Sequence, residues 1–116
     1  MISSGDDFEL LLKKWQSEST KVGVLVVVPE PTSKPRANCL LAGHIQMIYE
    51  EKKAFMVATE HADTVFAHYS DCIFRYGTDA EREIRQFSNF LTGGRFDELV
   101  LLTSPVGVVI AVFPLK

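Results

Sequence analysis

The stretch CLLAGHIQMIYEEKKAFMVAT, residues 39–59, holds two apolar runs on either side of a four-charge break. In the first, from Cys39 to Tyr49, the apolar side chains of Leu41, Ile45, Met47 and Tyr49 alternate with Ala42, His44 and Gln46. A period of two marks a strand with one buried face. In the second run Phe55 and Val57 point one way and Met56 the other. Glu50-Glu51-Lys52-Lys53 forms the turn, so the pair reads as an antiparallel hairpin, with Gly43 marking a bend in its first strand.

Working outward, Val22 to Val28 is rich in β-branched residues, as suits a strand covered on both faces. Residues 29–38 carry three of the five prolines, and proline lacks the amide that a sheet ladder needs, so this segment is expected to be an exposed loop. Thr64 to Tyr69 and Cys72 to Tyr76 continue the hairpin into a meander. Before it, Phe8, Leu11, Leu12 and Trp15 fall at i, i+3, i+4 and i+7, predicting a helix over about 7–17 capped by Asp6 or Asp7. After it, Thr78 and Glu81 fit a capping box, and Ala80, Ile84, Phe87 and Leu91 repeat at helical spacing up to Gly93-Gly94. Leu99 to Leu102 and Val106 to Phe113, split by a Pro-Gly turn, predict a final hairpin. The expected class is α+β: a helix, a small antiparallel five-stranded barrel or curled sheet, a second helix, and a C-terminal β-hairpin that extends or caps the sheet.

At 116 residues the chain fits a single domain, 1–116, long enough to bury a core without disulfides. Hydrophobic residues at 47% and charged residues at 23% exclude a disordered chain. The net charge of −3 gives no general electrostatic footprint for a phosphate backbone. Two cysteines and no basic-then-apolar start point to a reducing, cytoplasmic location. The longest apolar runs fall far short of the roughly 20 residues a membrane helix needs, so no membrane role is expected.

The densest reactive cluster is His61, Asp63, His68, Asp71 and Cys72, with the ligand types for zinc but not the spacing of a finger or HExxH site. Turn and surface residues are the commoner reading of such clusters, and no metal site is assigned. Asp71 opposes ionisation of Cys72, and Cys39 beside Leu40 and Leu41 suits a buried hydrophobe. Ser70, His68 and Asp71 are too close along one strand to relay a proton. No GxGxxG, P-loop or GxSxG occurs, and neither catalytic residues nor a cofactor are assigned. The basic residues Lys34, Arg36, Lys52, Lys53 and Arg75 are the candidate phosphate contacts, with Tyr69, Phe74 and Tyr76 as stacking platforms if they are not core. Only the Lys34–Arg36 loop lacks neighbouring acids.

A helix followed by five short strands over residues 22–76 resembles the Sm-like family, including its bacterial RNA-chaperone branch. Leu41-x-Gly43-x-Ile45 looks like that family's glycine-centred bent second strand, and His68-Tyr69-Ser70-Asp71-Cys72-Ile73 lies where its second motif falls. Glu50-Glu51-Lys52-Lys53 stands where the family reads RNA. The resemblance therefore implies a strongly bent barrel of the Sm-like or SH3-like kind that assembles into rings through edge strands, without implying RNA activity.

The function expected from these features is a non-enzymatic interaction or structural module that forms a homo-oligomer and can take a protein partner. The apolar strands Val22–Val28 and Val106–Phe113 supply the reason, since each is expected to leave an edge needing cover. The alternatives are an RNA- or single-stranded-DNA-binding small barrel, which the net charge disfavours, and a metal or small-ligand site using His61, His68 and Cys72.

Overall fold

Helix α1, Gly5–Ser17, begins at Ser4, whose side-chain oxygen accepts from the Asp7 amide at 3.3 Å. Asp6 and Asp7, read from sequence as cap candidates, lie inside the first turn, where their charge favours the helix N-terminus. At the other end Ser19 adopts φ 52°, while the amide of Thr20 donates to the Trp15 carbonyl and that of Ser19 to the Gln16 carbonyl. This is a Schellman closure, with serine at the left-handed position that glycine usually fills. Phe8, Leu11, Leu12 and Trp15 form the buried stripe that their spacing predicts.

The computed structural model describes residues 4–28, 36–59, 64–84 and 96–115, the side chains of residues 28, 36–40, 84 and 96 excepted. After α1 come β1 (Lys21–Val28), β2 (Arg36–Tyr49), β3 (Ala54–Thr59), β4 (Thr64–His68) and β5 (Ile73–Tyr76). Helix α2 (Thr78–Ile84), a 3-10 turn (Phe96–Glu98), β6 (Val100–Thr103) and β7 (Val109–Pro114) complete the order. The strands make one seven-stranded sheet, β4-β3-β2-β1-β7-β6-β5, with every neighbour antiparallel. No helix among the described residues is long and apolar enough to cross a membrane.

Three expectations are corrected here. The five strands do not close into a barrel: the sheet stays open, and the C-terminal hairpin extends it by inserting between β1 and β5. The apolar strand Val106–Phe113 is not an edge, because β7 pairs with β1 from Val22↔Pro114 to Val27↔Val109 and with β6 from Val100↔Val112 to Thr103↔Val109. β1 is likewise paired on both sides. Nor does β5 follow β4 in the meander, since the two occupy opposite edges.

That last feature dictates the shape. Six strand spacings in a flat sheet would separate β4 from β5 by about 29 Å. The chain passes from His68 to Ile73 in five Cα steps, which reach at most about 19 Å. The sheet must therefore curl until its edges approach each other, and α1 lies in the curl. Phe8 shows it directly, touching Phe55 of β3 at 5.6 Å and Phe74 of β5 at 5.7 Å between ring centroids.

The inner face packs Val24, Phe55, Val57 and Leu102 against α1. On the outer face Leu25, Leu101, Ala111 and Phe113 form a second cluster with Leu99 and with Ala80 of α2. Helix α2 starts at Thr78, but the Gly77 carbonyl accepts from the Glu81 amide, so Gly77 holds the cap position and Thr78 is the first helical residue rather than the cap. The expected continuation through Phe87 and Leu91 to Gly93-Gly94 lies outside the described residues.

Candidate functional site

One irregularity in β2 creates the surface of interest. Ile45 pairs with Val57, but Met47 pairs with Met56, so Gln46 is an extra residue on β2. A bulge of this kind reverses the side-chain phase beyond it. Ile45 and Ile48 both turn inward as a result, Ile45 6% exposed, while Met47 and Tyr49 turn outward. The sequence reading put Leu41, Ile45, Met47 and Tyr49 on one face, and the bulge corrects it. The bulge is tied to α1, where the Gln16 side-chain amide donates to the Gln46 carbonyl at 3.0 Å. Gly43 sits where β2 comes close to β3: a Cβ there would lie 2.1 Å from the Ala58 carbonyl oxygen.

Because of the bulge, the outer face of β2, β3 and β4 is a three-by-three array. Its rows are His44, Ala58 and Thr64; Met47, Met56 and Phe66; Tyr49, Ala54 and His68. None of the nine is a lysine, arginine, aspartate or glutamate, in a chain where these make up 23% of residues. Phe66 is 50% exposed and Met47 45%. The rings of Tyr49 and Phe66 approach to 5.6 Å, and His68 meets the Phe66 ring edge-on at 5.1 Å. Ala54, between Tyr49 and His68 in its row, is wholly buried.

A second feature is a cleft of about 340 Å³ where the start of α1 meets the link between β4 and β5, lined by residues that include Ser4, Asp6, Lys53, Tyr69, Ser70 and Cys72. Lys53 and Tyr69 are engaged with acids of α1. The Tyr69 hydroxyl donates to Glu9 Oε1 at 2.6 Å, and Lys53 Nζ lies 3.6 Å from Glu9 and 3.5 Å from Asp6. The Tyr69 amide donates to the Lys53 carbonyl at 2.7 Å. Burial, reinforced by the Glu9 hydrogen bond, raises the Tyr69 phenol well above its usual range. Burial followed by the Asp71 charge also raises the Cys72 thiol, which keeps it protonated and poorly nucleophilic. The cluster ties α1 to the link that joins the two sheet edges.

The candidates from sequence fall in separate places. His61 and Lys34 lie outside the described residues, as do the side chains of Arg36 and Cys39. His68 stands on the outer face, whereas Cys72 packs against the inner core. Among the described residues no group of three or more His, Cys, Asp or Glu side chains is placed to hold a metal. Lys52 is exposed in the β2–β3 turn, at the opposite end of the 14-residue β2 from Arg36. Lys53 is held by Asp6 and Glu9, and Arg75 lies 2.9 Å from Glu83 of α2. Tyr69 is buried, and Phe74 and Tyr76 pack against the inner core, so the stacking platforms named from sequence are structural.

Among the described residues the exposed ring is Phe66, which the reading of the sequence does not single out. A signal was available for its neighbours: Met47-Ile48-Tyr49 is three apolar residues in a row, which strict alternation cannot accommodate. Compared with known protein families, curated proteins and solved structures, the chain matches none.

Proposed function

We propose that the chain is a non-enzymatic interaction module that works as a homo-oligomer, using the outer face of β2, β3 and β4. The observation that carries this reading is the array, free of lysine, arginine and acids, with Met47 and Phe66 about half exposed. Large apolar side chains grouped on one surface favour association, because covering them removes apolar area from water. The apolar strands β1 and β7, from which oligomerisation was expected, give no support, being paired on both sides within the chain. The reading rests instead on β4 and the face beside it. Ring assembly of the Sm-like kind is one form such an oligomer could take.

Light scattering coupled to gel filtration tests the reading. The expected result is a mass above the 13.0 kDa of one chain that rises with loading concentration. A mass fixed at one chain through the millimolar range would overturn it.

A further inference from the structure

Among the described residues the sheet has two free edges, and they are built differently. β5 pairs only with β6, but Arg75 projects from it to Glu83 at 2.9 Å, and α2 packs beside it. Charge and a covering helix are usual ways to keep an edge from recruiting another strand. Among the described residues β4, Thr-Val-Phe-Ala-His, pairs only with β3, and it carries no lysine, arginine or acid, no proline and no bulge in its pairing. Its amide and carbonyl groups on the open side form a template without any of those guards.

Resting on the homo-oligomer reading above, we propose that β4 of one copy pairs antiparallel with β4 of a second copy, about a two-fold axis at Phe66. The strand is self-complementary in that register. Phe66 is the central residue of the five, so it meets Phe66 of the second copy on the outer face. Thr64 then faces His68 of the second copy, and His68 faces its Thr64, placing a polar pair on either side of the aromatic pair. On the inner face Val65 meets Ala67, and Ala67 meets Val65. Such a contact is isologous and closes at two copies, whereas pairing β4 with β5 of the next copy would be heterologous and open-ended. The half-exposed Phe66 is covered by its twin, as cross-strand aromatic pairs are.

Area sets the strength. A five-residue strand is about 17 Å long, and two such edges with their flanking side chains fall short of the roughly 800 Å² per partner of a standard stable interface. The dimer is accordingly of the weak, concentration-dependent class, with dissociation expected in the micromolar range or above.

Sedimentation velocity from about 1 µM to about 1 mM, spanning that class, is the first measurement, with dimer defined as twice the 13.0 kDa chain. Phe66→Lys and Phe66→Glu each place like charges opposite one another at the axis and should weaken self-association by at least about tenfold. Mixing the two variants should restore a dimer containing one copy of each, because only a two-fold axis through residue 66 sets lysine against glutamate. Ile73→Lys, on the β5 edge, should leave dimerisation unchanged. Near-ultraviolet circular dichroism of Trp15 reports whether each variant keeps its fold. If the wild type dimerises and the Phe66 variants, folded, dimerise as well, or if mixing rescues nothing, this interface is overturned and the homo-oligomer reading survives. If the wild type is monomeric throughout, both fall.

Discussion

The two halves of the outer sheet face both carry large apolar side chains, and these meet different fates. Beside β5, the side chains of Leu101, Ala111 and Phe113 are almost wholly buried, closed over by Leu99 and by Ala80 of α2. Beside β4, Met47 and Phe66 stay about half exposed, with Tyr49 and Met56 partly so. The half beside β5 is wholly apolar, whereas the half beside β4 sets its large apolar side chains among His44, Thr64 and His68. What also differs is local chemistry at the margins: Arg75 and Glu83 guard one edge, while Thr64, Phe66 and His68 leave the other unguarded. The same sheet thus provides interior on one side and a contact surface on the other. The inner face shows no such division, since α1 reaches from β3 to β5 through Phe8 alone.

The largest effect is expected where burial is complete. Trp15 is 1% exposed and lies in the inner core, so Trp15→Ala should destabilise by about 3–5 kcal/mol in chemical denaturation, through lost burial and the cavity left behind. A loss below about 1 kcal/mol would mean that α1 is not the wedge that holds the curled sheet.

Next comes β2, which belongs to the open half on its outer side only. Gly43→Ala would push a methyl group to 2.1 Å from the Ala58 carbonyl oxygen and 2.7 Å from its carbon, and backbone cannot swing aside as a side chain can. The expected cost is about 1–3 kcal/mol or somewhat more, read by the denaturation midpoint. A neutral substitution would show that β2 and β3 can separate without loss, and that the close approach at Gly43 does not hold the open half together.

The link between the two edges is sharpened by pH. The Tyr69 phenol is raised above its ordinary value of 10.0 by burial and by the Glu9 hydrogen bond. Above pH 10.0 the unfolded chain releases this proton while the folded chain retains it, so the unfolded state binds fewer protons and stability falls as pH rises. The contribution is fully present below pH 10.0 and declines above it by up to about 1.4 kcal/mol per pH unit. Tyr69→Phe should remove that part of the alkaline slope and cost about 1–2 kcal/mol at neutral pH. Tyr76, also raised by burial and then by Glu98, keeps part of the slope in the variant. Identical alkaline slopes for the two proteins would show that the Tyr69–Glu9 bond does not fasten the link.

Much of this architecture is legible in the residues, and the gaps have physical causes. The α1 stripe, the β2–β3 hairpin and the final hairpin each have a local signature, an apolar period bounded by turn residues, and each forms. Strand pairing across the sheet has none. Nothing in Val106–Phe113 says that β1 will take it as a neighbour, so it reads as an uncovered edge. The crossing from β4 to β5 turns on Tyr69-Ser70-Asp71-Cys72, whose Asp71 adopts φ 58°, a conformation available to aspartate but not announced by it. The bulge at Gln46 is similar: one added residue moves Met47 and Tyr49 to the outer face, and only the unbroken Met47-Ile48-Tyr49 run hints at it. The candidate surface depends on that bulge and on the placement of β4, which is why polar-residue motifs pointed elsewhere.

The smallest effect is predicted on the surface that matters most to the proposed function. Among the described residues Phe66 stands half exposed on a strand with one partner, and its ring contacts are Tyr49 at 5.6 Å and His68 at 5.1 Å. Phe66→Ala therefore gives up only part of a side-chain burial and leaves no enclosed cavity, since solvent already reaches the site. At concentrations where the chain is monomeric, the expected loss is about 1 kcal/mol or less, several times smaller than for Trp15→Ala. The denaturation midpoint at low protein concentration is the measurement. At high concentration the gap between wild type and variant should widen, because association stabilises the folded wild type by mass action and the variant less so. A loss above about 3 kcal/mol at low concentration would place Phe66 in the core and close the contrast between the two halves of the outer face. A small loss that does not grow with concentration would leave the open half exposed without a partner there.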